Sequence, residues 1–508
     1  MTKKELILGI KNQNFPIIEI STLIIIALSI RFIFFESEIP LSLDALTYFS
    51  FSYETKILGH IPEIIPFTNL GWTWVLTFFF NIFSFDTAIE YMNLQKIISI
   101  TISSLTIIPV YLLCRKFTEK KYALFASSLF IFDPRIIENS LLGITDVLYV
   151  FMITVVFVLF FNIQKKYIYA SFGLVGLTTL VRAEGIFVFI AISILFFIKY
   201  KNEEKIILRY LLGFGIFLLI LSPIMVDRVE MFQNEFMSQT FENSKITSNE
   251  KNITSKIVVG FENFIKLFGW VTIPIYIVFL IPGFFLMIKK WKKENFEIII
   301  PIIIMSIPIF YAYSIPAQDT RYLFVLFPFI SIIATFAITS FGKRIPNVKK
   351  TLVIFLVIIM AISGVFLYER TDSTEEKEAF LISKYLVENA QGVNGFYPEG
   401  KFIRGAEVLK NFPDVPFKDE GGEYTHKMKV FQIKNENLRE FIDLYKKEGL
   451  SHIVTKGDNT SAIFDDINKN EEKYPYLEKT FDSKEMGWEN NFNVFKINYE
   501  VLQMERNE

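Results

Sequence analysis

Residues 167–198 read YIYASFGLVGLTTLVRAEGIFVFIAISILFFI. Two apolar runs, 167–181 and 186–198, meet at Val181-Arg182-Ala183-Glu184-Gly185. An α-helix rises ~1.5 Å per residue, so neither run crosses a ~30 Å hydrocarbon core comfortably. The turn between them is therefore expected below the outer membrane surface, in a water-filled cavity. A buried arginine needs a partner, which is either Glu184 or an anionic ligand. The planar guanidinium fork suits phosphate, and a purely structural Arg182–Glu184 pair is the alternative.

The rest of the chain supports a membrane reading. It has 508 residues, 52% hydrophobic and only 21% charged, with 56 phenylalanines. Its mean hydropathy is +0.39. A soluble chain carries ~25% charged residues, so a soluble globular enzyme and a disordered protein are both excluded. The single cysteine, Cys114, forms no internal disulfide. The three histidines lie outside apolar runs, which argues against haem-bearing spans and histidine-dependent membrane chemistry.

Runs long enough to be spans fall near 17–35, 94–113, 122–137, 145–163, 167–181, 186–198, 209–226, 268–288, 297–314, 322–340 and 351–368. The first is read as a retained span rather than a signal peptide. With a cytoplasmic N-terminus, the inner segments hold 21 Lys and Arg in 56 residues, the outer ones 8 in 117. That bias fixes the orientation. The sequons at Asn252 and Asn459 also fall outside.

Residues 67–85 break this parity if counted as a span. They are read as a helix in the outer interface anchored by Trp72 and Trp74. The expected fold class is a polytopic α-helical membrane protein with about eleven transmembrane helices and this interfacial helix. The membrane domain is residues 1–369, with long external loops at 36–93 and 227–262. Residues 370–508 form a small extracytoplasmic α/β domain. They hold 20 basic and 27 acidic residues, unlike the basic footprint of a nucleic-acid binder, so no nucleic acid is expected as a partner. Helices are expected at 375–390 and 436–448, strands at 429–433, 451–455 and 492–498.

Charges at the ends of spans are functional candidates by default. Asp44 follows the first span, with Tyr48 and Phe51 on its helical face. It is either a helix cap or a carboxylate able to take a proton. Asp146 opens the fourth span and has the same two readings. Asp133, Arg135 and Glu138 read as a solvated cluster in the loop before it. Gln318-Asp319-Thr320-Arg321-Tyr322 stands at the outer start of the tenth span as an anchor or a site. Arg31 reads as a snorkelling anchor. Two acids and two arginines on one side of the membrane would suit an anionic head group carried on a lipid.

At these residues the chain resembles the C-type (GT-C fold) glycosyltransferases, nearest the protein O-mannosyltransferases and bacterial aminoarabinose transferases. Asp44 in LDALTY sits where that family has its first-loop acid. Gly71-Trp72-Thr73-Trp74 is similar to its amphipathic helices, TDVLYVF at Thr145–Phe151 to its TDxLxxF, VRAEG to its TRPEG, and RYLFVLFP at Arg321–Pro328 to its RYLLPLLP. Ala45 stands where many relatives have a second acid, and Ala183 replaces a proline. No WWDYG-like motif occurs in 370–508, which argues against an oligosaccharyltransferase.

The resemblance implies a sugar donor on polyprenyl or dolichyl phosphate and a protein, envelope glycan or lipid as acceptor, at the external face of the plasma membrane. Asp44 would be general base and Asp146 a second acid that orients acceptor or holds a sugar or metal. Arg182, Glu184, Arg321, Tyr48 and Tyr322 would bind donor phosphate or substrate, with or without a divalent ion on Asp44 and Asp146. A transporter would show pseudo-symmetric halves, and none is evident. A non-catalytic subunit of a cell-envelope glycosylation complex would keep the fold and lose the chemistry.

Overall fold

The computed structural model describes residues 15–62, 70–162, 164, 166–232, 253–315, 319–370, 374–395, 401–412, 428–432, 437–457 and 462–505. The two sequon asparagines, Gln318 and the middle of the second long loop lie outside the described residues. The chain forms two compact units. One comprises Met1–Phe35, Phe67–Trp72 and Lys96–Tyr368; the other comprises Glu36–Pro66, Thr73–Gln95 and Glu369–Glu508.

The first unit is a helical bundle. Among the described residues, four helical stretches are long and apolar enough to cross a membrane, beginning at Ala88, Lys293, Thr320 and Val348. Shorter apolar helices run over Asp146–Phe160, Lys166–Val181, Gly185–Tyr200 and Ile206–Ser222. Lys166–Val181 packs between Asp146–Phe160 and Ile206–Phe232. The expected span 268–288 is broken: Lys256–Thr272 and Ile277–Lys289 meet at 114°. Pro274 sits at that break, where it removes a helical N–H donor. The Ile253–Thr272 helix also takes up the end of what reads as external loop.

Three side chains read as solvated or interfacial lie inside this unit. Arg31 is completely buried. It donates to Ser140 Oγ (3.1 Å), Ser103 Oγ (3.0 Å) and the carbonyls of Ala27 and Ile131 (both 3.2 Å). Asp133 is buried as the N-cap of Pro134–Leu141, accepting from the amides of Arg135 and Ile136. Arg135 is buried too, its Cζ 5.0 Å from the Trp270 ring and 5.1 Å from that of Phe366. A charge is tolerated inside when hydrogen bonds and aromatic faces replace its water.

Residues 71–82 form a helix of 12 residues. Its rise of ~18 Å is too short to cross a bilayer. Trp74 is exposed, but Trp72 is fully buried, and its indole N–H donates to the Gly143 carbonyl at 3.2 Å. Trp72 is therefore a core residue rather than an interfacial anchor.

The second unit contains a five-stranded sheet of order β2-β1-β3-β5-β4. The strands are β1 (Gly392–Asn394), β2 (Lys429–Phe431), β3 (His452–Lys456), β4 (Leu477–Asp482) and β5 (Phe492–Ile497). β1 runs parallel to β2 and β3, whereas β5 is antiparallel to β3 and β4. Alternation along the inner strands feeds two cores, as a two-residue period requires. Val454, Phe492 and Val494 pack with helices Thr374–Asn389 and Ile403–Asn411. Ile453, Phe495 and Ile497 pack with Leu438–Lys446, Ala462–Lys469 and Tyr499–Met504.

The first long loop belongs to this unit. Its helix Leu43–Leu58 buries Phe49, Phe51 and Tyr53. Tyr53 and Tyr91 pack edge to face at 5.3 Å, and Gln95 Nε2 donates to the Ala45 carbonyl at 2.9 Å.

Candidate functional site

The turn that joins the two short apolar helices is the centre of the charged cluster. Lys166–Val181 ends at Val181, and Gly185–Tyr200 begins three residues after Arg182. Glycine is required at that start: a Cβ on Gly185 would lie 2.7 Å from the Thr179 backbone. A Cβ on Gly71 would likewise lie 2.6 Å from Val181 Cγ2. Close backbone approach on both sides thus fixes where Arg182 leaves the chain.

Asp146 is the first residue of Asp146–Phe160, where the helix N-terminus favours a carboxylate. Its Oδ1 accepts from Arg182 Nη1 at 2.6 Å, and Arg182 Nη2 donates to Glu184 Oε1 at 3.0 Å. Arg321 Nη1 lies 3.9 Å from the other Asp146 oxygen, while Arg321 Nε faces Asp319 Oδ2 at 2.7 Å. Asp319 Oδ1 also accepts the Arg321 amide at 2.9 Å, capping the turn that begins at Thr320. One buried carboxylate therefore stands behind two arginines. Two more exposed carboxylates, Glu184 and Asp319, stand in front of them.

The rings of Tyr149 and Tyr322 flank the Arg182 guanidinium at 5.7 and 5.9 Å. Tyr313 donates from its hydroxyl to the Asp319 carbonyl at 2.8 Å, and its ring lies 6.3 Å from that of Tyr322. Glu184 is paired with Arg182 through a charge-assisted hydrogen bond. Arg182 thus has two carboxylate partners, Asp146 and Glu184, that balance its charge.

The structure thus brings together Asp146, Arg182, Glu184, Arg321 and Tyr322, all named from sequence. Tyr149 was missed, although it lies three residues after Asp146 and so on the same helical face. Tyr313 was missed as well; it carries no sequence signal beyond its place at the end of Phe296–Tyr313.

Asp44 belongs to the other unit. It is exposed in the first turn of Leu43–Leu58, and Ser42, the N-cap, makes no side-chain cap bond. Leu43 before it has a φ of 50°, in the left-handed region. Tyr48 and Phe51, read as partners on the Asp44 face, are buried.

The residues at the cluster do not fit a divalent ion. Among the described residues no three His, Cys, Asp or Glu side chains converge. Both oxygens of Asp146 face guanidinium groups, which would repel a cation.

The chain is similar in fold to ArnT from Cupriavidus metallidurans, solved bound to undecaprenyl phosphate. The TM-score is 0.61 at 12% identity, over 93% of this chain and 97% of that one. It is also similar to the Archaeoglobus fulgidus oligosaccharyltransferase. In its apo form the TM-score is 0.55 at 11% identity, over 88% and 70% of the two chains. In its complex with Zn and sulfate the TM-score is 0.54 at 12% identity, over 85% and 68%. The resemblance to the C-type membrane glycosyltransferases therefore holds at the level of fold. No curated protein matches the sequence. A family model described as Predicted membrane protein (DUF2079) matches residues 88–397, more than half of the chain, and the chain belongs to that family.

Proposed function

We propose that the protein is an inverting glycosyltransferase. It would move a sugar from a polyprenyl- or dolichyl-phosphate carrier to an acceptor hydroxyl of a protein, envelope glycan or lipid. Transfer would occur at the external face of the plasma membrane, with the N-terminus cytoplasmic. The observation that carries this proposal is the Asp146 carboxylate facing both Arg182, between two short apolar helices, and Arg321, in the first turn of the stretch that begins at Thr320. Fold likeness to a protein solved with undecaprenyl phosphate supports the donor class.

In this mechanism the lipid phosphate takes the place of Glu184 or Asp319, the two carboxylates more exposed than Asp146. Asp146 stays behind and keeps both guanidinium groups aimed at it, so the forks are oriented before the donor arrives. The acceptor hydroxyl gives its proton to Asp44 and its oxygen attacks the anomeric carbon. The bond from that carbon to the phosphate oxygen breaks on the opposite face, and the electron pair leaves on the phosphate. Arg182 and Arg321 stabilise that charge, and Tyr149 and Tyr322 wall the site. Asp146 is thereby a holder of arginines rather than a base.

Binding of polyprenyl phosphate without sugar tests the reading, measured by thermal shift and by native mass spectrometry on the purified protein. Wild type is expected to bind it. Arg182→Gln should lose at least about tenfold in affinity, as removal of a charge-assisted phosphate contact does. Equal binding by both would overturn the assignment of Arg182.

A further inference from the structure

The first long loop is built into the C-terminal domain. Ile39 is buried in the same core as Phe380, Phe402, Ile403, Ala406 and Val494. Leu41 is buried as well. Helix Ile403–Asn411 comes so close that a Cβ on Gly405 would lie 3.1 Å from Pro40 Cγ, 3.2 Å from Pro40 Cβ and 3.3 Å from the Leu41 carbonyl oxygen. At the other end of the Asp44 helix, the Phe412 ring lies 4.9 Å from that of Tyr53 and 6.1 Å from that of Tyr91.

Between these two attachments sits the left-handed Leu43, next to Asp44. An L-residue other than Asn, Asp or Gly rarely holds such a φ, and it persists only where the surroundings impose it. Residues 39–41 are seated on the C-terminal domain, and the chain then turns sharply at Leu43 to begin the helix.

We infer that the C-terminal domain is the mount that positions Asp44, acting through Ile39–Leu41 on Gly405 and through Tyr53 on Phe412. Gly405 and Phe412 are positioning residues, well removed in sequence from the group they aim. The functional half of this inference rests on Asp44 being the base; the structural half does not.

The test uses the full chain. Hydrogen exchange is followed in peptides from 43–58, with peptides from β3 and β5 as the internal reference. Gly405→Val and Phe412→Ala should each speed exchange in 43–58 several-fold and leave β3 and β5 unchanged. Transfer kcat should fall about tenfold or more with donor KM unchanged, as small misplacement of a reacting group does. A Pro40→Cys/Gly405→Cys pair covers the case in which Gly405→Val fails to fold. The cysteine Cβ atoms would lie near disulfide distance, so the bond should form spontaneously, and its reduction should speed exchange in 43–58. Failure of the bond to form, or exchange in 43–58 indifferent to every one of these changes, overturns the mount. Altered exchange without transfer by wild type supports the mount and counts only against the glycosyl-transfer reading.

Discussion

At the scale of single residues, the cluster around Arg182 makes opposite demands on its two acidic partners. Asp146 is nearly buried and Glu184 about a third exposed. Asp146→Asn should cost about 3–5 kcal/mol of stability, because it leaves a buried arginine short of its counter-charge. Glu184→Gln removes only a screened competitor. It should leave stability within about 1 kcal/mol and tighten donor binding up to roughly fivefold. Thermal denaturation and donor KM of the two variants decide this; equal losses would mean that the acids do not differ in role.

The Arg182–Glu184 contact was legible in the sequence because the two are two residues apart. The 2.6 Å bond to Asp146, 36 residues away, was not. Spacing within a chain carries no information on which helices become neighbours. Arg31 and Trp72 show the same limit. Each was read by the habit of its residue type at a membrane end, and each proved to be buried with specific hydrogen-bond partners.

At the scale of elements, the Val181–Gly185 turn depends on the missing side chain of Gly185. Gly185→Ala would press a methyl group into the Thr179 backbone. The expected loss is about 1–3 kcal/mol, typical of overpacking, with donor binding weakened alongside because Arg182 moves with the turn. An alanine variant as stable as wild type in thermal denaturation would contradict the tight closure.

Both short helices around this turn were legible from their apolar length: Lys166–Val181 and Gly185–Tyr200 lie within two residues of the apolar runs 167–181 and 186–198. The strands at 429–431, 452–456 and 492–497 were legible too, being β-branched and aromatic. β1 has only three residues, and β4, LEKTFD, carries charges along an outer edge of the sheet. Charged edge strands blunt aggregation and hide from hydropathy reading for the same reason. The break at 273–276 had one visible sign, Pro274, inside a run that otherwise reads as continuous.

At the scale of the whole molecule, hydropathy separates the chain near residue 369 into membrane and soluble parts. The compact units follow a different line, since residues 36–66 and 73–95 belong with the C-terminal part. That partition rests on contacts more than 300 residues apart, such as Ile39 in the C-terminal core, and no local pattern announces them. The number of spans is limited in the same way. Eleven apolar runs are present, yet only four described helical stretches, or five with the bent pair, have spanning length. Short helices such as Lys166–Val181 and Gly185–Tyr200 meet at the polar turn Arg182–Glu184. The fold was therefore legible as a class, and the site as a set of residues, whereas their pairing required the structure.

The most direct measurement is release and transfer of sugar from a radiolabelled polyprenyl-phosphate hexose by the purified full chain, with cell-envelope extract as acceptor. Wild type is compared with Asp44→Asn. Wild type should transfer the sugar, and the variant should lose about 10²–10⁴-fold, the usual contribution of a general base. Equal transfer by the two proteins would contradict the assignment of Asp44 as the base.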